Sequence, residues 1–306
     1  MTAAALRKAI RSGERIKTSP PHPAAALLGA NADAAKKREE AKIAATGYRR
    51  AQAPEWLLSA LACAVGLAAF VAAWALIAKY GGRIPGPLVV GAAAAKIFAD
   101  PFYSKGPNDQ GIGWNVLSSL KRVGIGFGLA ALVGIPLGFM IGRFKFLSGM
   151  AAPIIALLKP VSPLAWLPIG LLVFKAASPA AIYAIFVCSL WPMIVNTAVG
   201  VRQIPQDYLN VARVLNLSEW KVFTRILFPA VLPYMITGVR LSIGVAWLVI
   251  VAAEMLTGGV GIGFWVWDEW NNLKVEHIII AIFTIGIVGL LLEQSLVLLA
   301  KRFSYA

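Results

Sequence analysis

The sequence predicts an all-α, polytopic membrane protein with about six transmembrane helices. Its 306 residues are 59% hydrophobic and only 14% charged, with a mean hydropathy of +0.73. A water-soluble chain of this length would have too few charged residues to cover its surface. The apolar residues also fall into blocks of about 20 residues or more, the length that a helix needs to cross a bilayer.

Residues 1–55 precede the first apolar block and form a basic N-terminal tail, rich in alanine, lysine and arginine. We expect a cytoplasmic segment that is partly disordered. A helix near 32–45 could lie on anionic lipid headgroups. The remainder, 56–306, is expected to form the transmembrane domain.

Six blocks are predicted to span the bilayer, at roughly 56–79, 115–142, 146–174, 178–201, 230–256 and 276–300. The third is the least regular, because it contains four prolines, at 153, 160, 163 and 168. Proline at membrane depth is tolerated only where neighbouring groups satisfy the freed backbone. This block is therefore predicted to be either a broken helix or a helix with a re-entrant turn.

Lysine and arginine are distributed unevenly between the two sides that these spans define. With the tail placed in the cytoplasm, the same side receives Arg143, Lys145, Arg202, Arg213, Lys221, Arg225, Lys301 and Arg302. The other side receives Lys79, Arg83, Lys96, Lys105, Lys175 and Lys274. The positive-inside rule then predicts that both termini are cytoplasmic. Topology thus explains the net charge of +15 without nucleic acid as a partner.

The segment 205–229 differs from the apolar, membrane-spanning blocks on either side of it. It is amphipathic and charged, and it lies between the fourth and fifth spans on the predicted cytoplasmic side. Apolar residues recur at the spacing of one helical face, at Tyr208, Val211, Ala212 and Leu215. We call this segment the insert.

A turn and a second short helix are predicted in the insert. Asn216 tolerates the left-handed conformation that ends a helix. Ser218 is a candidate N-cap for the next helix, with Glu219 favourably placed in its first turn. An apolar stripe of that helix is predicted at Trp220, Phe223 and Leu227.

An apolar face that is exposed outside the membrane is expected to be buried by another protein surface. One hypothesis is that the insert docks a soluble partner. The alternative is an ordinary loop that packs on the chain's own spans.

The insert resembles the cytoplasmic EAA loop of ATP-binding-cassette importer permeases, which reads E-A-A, three residues, G, and nine residues later an apolar–x–P ending. Here the loop reads Asn210-Val211-Ala212, Arg213-Val214-Leu215, Asn216, and ends Ile226-Leu227-Phe228-Pro229. Asparagine replaces the family's glycine at 216, which is conservative because asparagine also adopts the left-handed conformation. Asparagine also replaces the family's glutamate at 210, so that position has no carboxylate for a salt bridge to the ATPase.

The resemblance extends over about residues 110–306. It includes GFGLAALVGIPLGFMIG (126–142), LLKPVSPLAWLPIGLLVF (157–174), WPMIVNTAVGVRQI (191–204) and GVRLSIGVAWLVIVAAEML (238–256). These runs are similar to permeases that import nitrate, taurine, aliphatic sulfonates and related small anions. The run GIGFWVWDEWNNLKVEHIIIAI (261–282) is most similar to the nitrate and bicarbonate branch.

The resemblance implies the fold and the partners of a type I importer permease in a bacterial inner membrane. The expected complex contains two copies of this chain, two ATP-binding-cassette subunits and a periplasmic solute-binding protein, surrounded by membrane lipid. ATP and magnesium are expected on the ATPase subunits, since this sequence has no G-x-x-x-x-G-K-[ST] loop and no Gly-Lys pair. No catalytic residue, cofactor or metal is expected in this chain. The residues expected to couple to the ATPase are Asn210, Val211, Ala212, Arg213, Leu215, Asn216, Leu217, Ser218 and Glu219.

An anion that crosses lipid needs positive or dipolar groups, because charge in hydrocarbon is costly. Candidates for the translocation path are Arg240, Arg122, Glu254 and Thr197. Arg240 lies about ten residues into the fifth span, with Glu254 or Glu293 as its expected partner. Three of the four also have a structural interpretation: Arg122 as an interfacial anchor, Glu254 as a cap at the outer end of its span, and Arg240 as part of the gate region.

Gly134, Gly138 and Gly142 are spaced four residues apart in the second span. Small residues at this spacing let helices approach closely in lipid, so we expect a packing role.

Other functional classes remain open at this stage. A gradient-driven secondary carrier or channel could relay protons through Glu254 and Glu293, although it would not need the insert. An ATP-binding-cassette permease for bicarbonate, cyanate or a sulfonate is a further alternative. An intramembrane enzyme is disfavoured, since the sequence contains neither H-E-x-x-H nor G-x-S-x-G.

Overall fold

The computed structural model describes residues 36–40, 55–82 and 84–303. Most of the predicted tail therefore lies outside the described residues. Of the helix expected near 32–45, only 36–40 is described, and these residues are helical.

The described chain is built from α-helices, which confirms the predicted fold class. The helices are α1 (Glu55–Gly81), α2 (Pro87–Ala99), α3 (Ile112–Arg143), α4 (Lys145–Leu158), α5 (Pro163–Phe174), α6 (Ala177–Arg202), α7 (Gln206–Val214), α8 (Glu219–Val222), α9 (Phe228–Thr257), α10 (Ile262–Asn271) and α11 (Val275–Phe303). A π-helical turn (Phe223–Leu227) joins α8 to α9.

Five helical segments among the described residues are long and apolar enough to cross a membrane: Trp56–Gly81, Ile112–Arg143, Ala177–Arg202, Glu219–Thr257 and Val275–Leu298. Helices α4 and α5 meet the same criterion only as a pair, bent by 99° at the break between them. Counted as one broken span, the pair gives six, as predicted. The predicted interruption of the third block is confirmed, with Pro160 in the break, and a bend of 99° fits either a broken span or a re-entrant turn.

The described residues divide into two units, with the boundary inside α1, between residues 72 and 73. Within the second unit α6 is the central helix. Of the residues in its most apolar stretch, 61% are buried, against 28% in α3 and 11% in α11. Helix α6 packs extensively against α3 and against α9.

Glycines bring α3 close to α6. A Cβ atom on Gly138 would lie 2.6 Å from Cβ of Thr197, and one on Gly142 would lie 2.6 Å from Cβ of Val201. A Cβ atom on Gly134 would lie 3.2 Å from Cδ1 of Leu190. The packing role predicted for this spacing is confirmed, since any side chain here would separate the helices.

The fifth span begins earlier than predicted. Prolines at 229 and 233 do not break it, because the π-helical turn carries the chain from α8 into α9 without interruption. Proline 229 has no N–H to offer the carbonyl one helical turn before it. The π-helical turn accommodates this missing donor. Within it, the N–H of Phe228 bonds to the carbonyl of Phe223, five residues back.

Candidate functional site

The insert ends its first helix as predicted. Asn216 has φ +46°, in the left-handed region. Its N–H bonds to the carbonyl of Arg213 and the N–H of Leu217 bonds to the carbonyl of Ala212, both at 3.0 Å. This pair of bonds is the Schellman motif, which satisfies carbonyls that the helix end leaves free.

The second helix of the insert also starts as predicted. Ser218 is the N-cap of α8, and its Oγ accepts a hydrogen bond from the N–H of Lys221 at 3.4 Å. Glu219 occupies the first turn, where its Oε2 lies 3.8 Å from Nη2 of Arg143 at the end of α3. With Glu219 86% exposed, this ion pair contributes little to stability.

One face of the insert is buried against the chain's own spans. Leu209 and Ala212 of α7 lie in a cluster with the later insert residues Val222 and Leu227. The cluster also contains Ile204, just after α6, and four residues of the spans: Phe139, Val201, Val231 and Met235. Ala212, which was expected on the face that contacts the ATPase, is 2% exposed. Its side chain is therefore part of the anchor of the insert.

The remaining apolar surface of the insert is exposed. We call it the outer face; it consists of Tyr208 (61% exposed), Val211 (56%), Val214 (81%), Leu215 (62%) and Trp220 (72%). Of the stripe predicted at Trp220, Phe223 and Leu227, Leu227 is buried and Phe223 packs on the same cluster. The prediction is wrong for Trp220, which is exposed while Val222 takes the buried position. Helix α8 has barely one turn before the π-helical turn, so regular helical spacing does not continue beyond Val222.

Arg122 and Glu254 form a buried ion pair that joins α3 to α9. Nη1 of Arg122 lies 2.6 Å from Oε1 of Glu254 and also donates to the carbonyl of Val260 at 2.7 Å. Its Nε donates to Oγ of Ser178 on α6 at 3.1 Å. A carboxylate inside the protein thus engages Arg122, and its interpretation as an interfacial anchor stays a prediction.

Glu254 is 1% exposed and is not the partner of Arg240. Besides Arg122, it accepts hydrogen bonds from Oγ of Ser119 at 2.8 Å and from the N–H of Gly263 at 3.1 Å. A buried carboxylate needs such donors to offset the loss of water. Glu254 lies in the last turn of α9 and is held by these internal contacts, and its interpretation as an outer-end cap stays a prediction.

The same network fixes the turn between α9 and α10. Gly258 and Gly259 have φ of +77° and +89°, which reverse the chain. The N–H of Gly261 then bonds to Oδ1 of Asn115 at 2.8 Å, and that of Ile262 to Oγ of Ser119 at 3.0 Å.

Sequence reasoning missed Asn115 and Ser119. The signal was present, because these residues and Arg122 recur at i, i+4 and i+7 in an apolar helix. A polar stripe in a transmembrane helix faces the protein interior or a water-filled space.

Arg240 and Glu293 form a second ion pair, between α9 and α11. Nη2 of Arg240 lies 3.0 Å from Oε1 of Glu293, which confirms the second of its two expected partners. Arg240 is about 18 Å from the start of α9 and Glu293 about 15 Å from the end of α11, at 1.5 Å per residue. Both therefore lie at membrane depth, yet their side chains are 43% and 54% exposed.

Thr197 does not reach any open surface among the described residues. It is fully buried and packs against Gly138 in the contact of α3 with α6. Of the four path candidates, only Arg240 combines membrane depth with substantial exposure. The roles of the four in translocation stay predictions.

Comparison with known proteins agrees with this architecture. The family profile described as "Binding-protein-dependent transport system inner membrane component" matches residues 134–305. A nitrate import permease protein of Synechocystis sp. is 46% identical over 237 residues, which cover 77% of this chain and 86% of the relative. A bicarbonate transport system permease protein of Synechococcus elongatus is 44% identical over 233 residues, covering 75% and 84%.

A solved structure, described as an amino acid ABC transporter with histidines, superposes with a TM-score of 0.51 and 14% identity. The superposition covers 72% of this chain and 100% of the solved chain, and it supports the fold alone. The family match and the identity to curated relatives lead to one assignment: the chain belongs to the family of binding-protein-dependent transport system inner membrane components.

Proposed function

We propose that this chain is the transmembrane subunit of an ATP-driven importer for a small inorganic anion, nitrate. Relatives described as nitrate import permeases are 42–46% identical to it. The chain forms the path through the bilayer, while separate ATP-binding-cassette subunits bind ATP and magnesium. A periplasmic solute-binding protein delivers the anion, and both termini lie in the cytoplasm.

The observation that carries this proposal is the construction of the insert. A Schellman turn at Asn216 and a buried anchor hold it in place, so it can transmit force to α6 and α9. Its outer face remains apolar and uncovered by any described residue. A soluble ATPase that docks on this face would bury it and move the helices to which the insert is joined.

The Arg240–Glu293 pair supports a homodimer. An ion pair at membrane depth with this exposure cannot face hydrocarbon cheaply, since a charge there costs about 2.5–3.5 kcal/mol even on scales that allow snorkelling. A second copy of the chain would cover the pair. Arg240 would then lie beside the path between the two copies, where its positive charge would attract an anion.

The docking step is tested by placing a charge on the outer face. Val214→Asp should abolish co-purification of the ATPase and ATP-dependent uptake, because Val214 is 81% exposed and its replacement leaves the anchor intact. Leu273→Asp is the matched control: Leu273 is also 81% exposed but lies between α10 and α11, far along the chain from the insert. Undiminished co-purification with Val214→Asp would contradict docking at this face.

Bicarbonate is a second candidate substrate, because relatives described as bicarbonate permeases are 44–45% identical. Competition decides between them: excess bicarbonate should leave uptake of labelled nitrate unchanged in the reconstituted importer. Accumulation of labelled bicarbonate, with no accumulation of labelled nitrate, would favour bicarbonate.

A gradient-driven carrier is less consistent with the geometry. Both carboxylates that could relay protons, Glu254 and Glu293, are paired with arginines. Uptake that persists when the partner ATPase is inactivated would nevertheless favour a carrier over our proposal.

A further inference from the structure

A basic cavity of about 550 Å³ lies at the foot of the insert, where the end of α3, the start of α4 and the end of α6 meet. Three cations line it: Arg143, Lys145 and Arg202. Ser148 and Gln206 add polar groups. By the distribution of lysine and arginine, this end of the helices is at the cytoplasmic headgroup level.

The positive charge of this cavity is poorly compensated within the described part of the chain. The acid paired with Arg143 is Glu219, at 3.8 Å and largely in solvent. Nη2 of Arg202 donates to the neutral Oγ of Ser148 at 2.6 Å. No salt bridge to a described residue is formed by Lys145 or Arg202. The cavity therefore presents net positive charge to whatever occupies it.

An apolar groove of about 320 Å³ continues from the basic cavity, and the two share Ser148 and Arg202. The groove runs between α4 and α6 towards Lys159. Its walls are aliphatic, formed chiefly by Ala152, Ile155, Ala156, Ile194, Val195 and Val199.

The dimensions of the groove match one leaflet of a bilayer. From Ser148 to Lys159 the helical path is about 16 Å long, and half of a 30 Å hydrocarbon core is about 15 Å. A cationic pocket at headgroup level that opens into a leaflet-long apolar groove has the polarity pattern of a phospholipid. Basic pockets between spans on the cytoplasmic side bind anionic headgroups in this way.

We propose that the cavity and the groove together, the head-and-groove site, bind one anionic phospholipid of the cytoplasmic leaflet. The phosphate lies among Arg143, Lys145 and Arg202, and one acyl chain follows the groove. Leu209 and Leu227 also line the cavity. Both belong to the buried anchor of the insert, so the bound lipid contacts the element that couples to the ATPase.

The test is native mass spectrometry of the full-length chain, purified in detergent and titrated with phosphatidylglycerol or phosphatidylcholine. We expect one phosphatidylglycerol per chain to be retained at least tenfold more tightly than phosphatidylcholine. Arg202→Gln should weaken that binding about tenfold, and Ala156→Trp, which fills the groove, should weaken it similarly. Lys221→Gln is the matched control, because it removes one exposed insert cation that lines neither part of the site.

Three results would overturn the proposal. Equal retention of the two lipids by the wild-type chain would do so without reliance on any variant. A loss with Lys221→Gln as large as with Arg202→Gln would indicate general surface attraction. Displacement of phosphatidylglycerol by inorganic phosphate at equal concentration, with no effect of Ala156→Trp, would indicate a site for a free oxyanion. A thermal unfolding curve for each variant identifies any that fails to fold.

Discussion

Nη1 of Arg122 lies 2.6 Å from Oε1 of Glu254, although 132 residues separate them in the sequence. The pair joins α3 to α9. Arg122 also contacts Val260 in the turn that follows α9, and Glu254 contacts Gly263 at the start of α10. The ion pair thus holds two spans and a connecting turn in one arrangement.

Breaking this pair should be strongly destabilising. Glu254→Gln leaves the largely buried Arg122 without its counter-charge, and loss of one partner of a buried pair costs about 3–5 kcal/mol. Arg122→Gln should cost a similar amount, and the double variant less than the sum of the two. Thermal unfolding of the purified variants measures these differences.

The exposed pair of Arg143 and Glu219 provides the control for that experiment. Glu219→Gln should change stability by at most about 1 kcal/mol, because the pair is long and solvated. Equal effects of Glu219→Gln and Glu254→Gln would contradict a structural role for the buried pair.

The contact of α3 with α6 should not tolerate a methyl group. Gly138→Ala places a Cβ 2.6 Å from that of Thr197, and overpacking of this kind costs about 1–3 kcal/mol. Gly128→Ala, on the same helix, meets no atom within 4 Å. It should be neutral or slightly stabilising, because alanine favours helix over glycine. Stability of the two variants in detergent, compared side by side, distinguishes them.

The turn of the insert should depend on the conformation of residue 216 more than on its side chain. Asn216→Gly, which restores the residue of the related loops, should preserve ATPase co-purification. Asn216→Val should weaken it, because a β-branched residue at φ +46° is strained by roughly 1–2 kcal/mol. Limited proteolysis of the insert gives an independent readout. Loss of co-purification with glycine would show instead that the asparagine side chain makes the contact.

The Arg240–Glu293 pair should accept an exchange of its charges if it serves assembly. Arg240→Glu places two carboxylates together at membrane depth and should reduce the dimer, as measured by cross-linking in membranes. Adding Glu293→Arg should restore it. Uptake that stays lost in the exchanged protein would indicate that the anion requires a cation at position 240. If Arg240→Glu leaves the dimer intact, another surface joins the two copies.

The sequence by itself determined the fold class, the break in the third block and the turn of the insert. Each depends on local chemistry: block hydrophobicity, proline's missing N–H, and the left-handed preference of Asn216 before the N-cap Ser218. The packing of the α3 glycines was also predictable, because small residues four apart leave one side of a helix flat.

Tertiary structure alone decided which polar groups meet. Arg122 is paired with Glu254, 132 residues away in the sequence, because α3 and α9 pack against each other. The buried position of Ala212 likewise depends on how the insert packs on α3 and α9. The exposed position of Trp220 depends also on the π-helical turn, which changes the helical spacing. Periodicity defines a face of a helix, but only the neighbouring helices determine whether that face is buried.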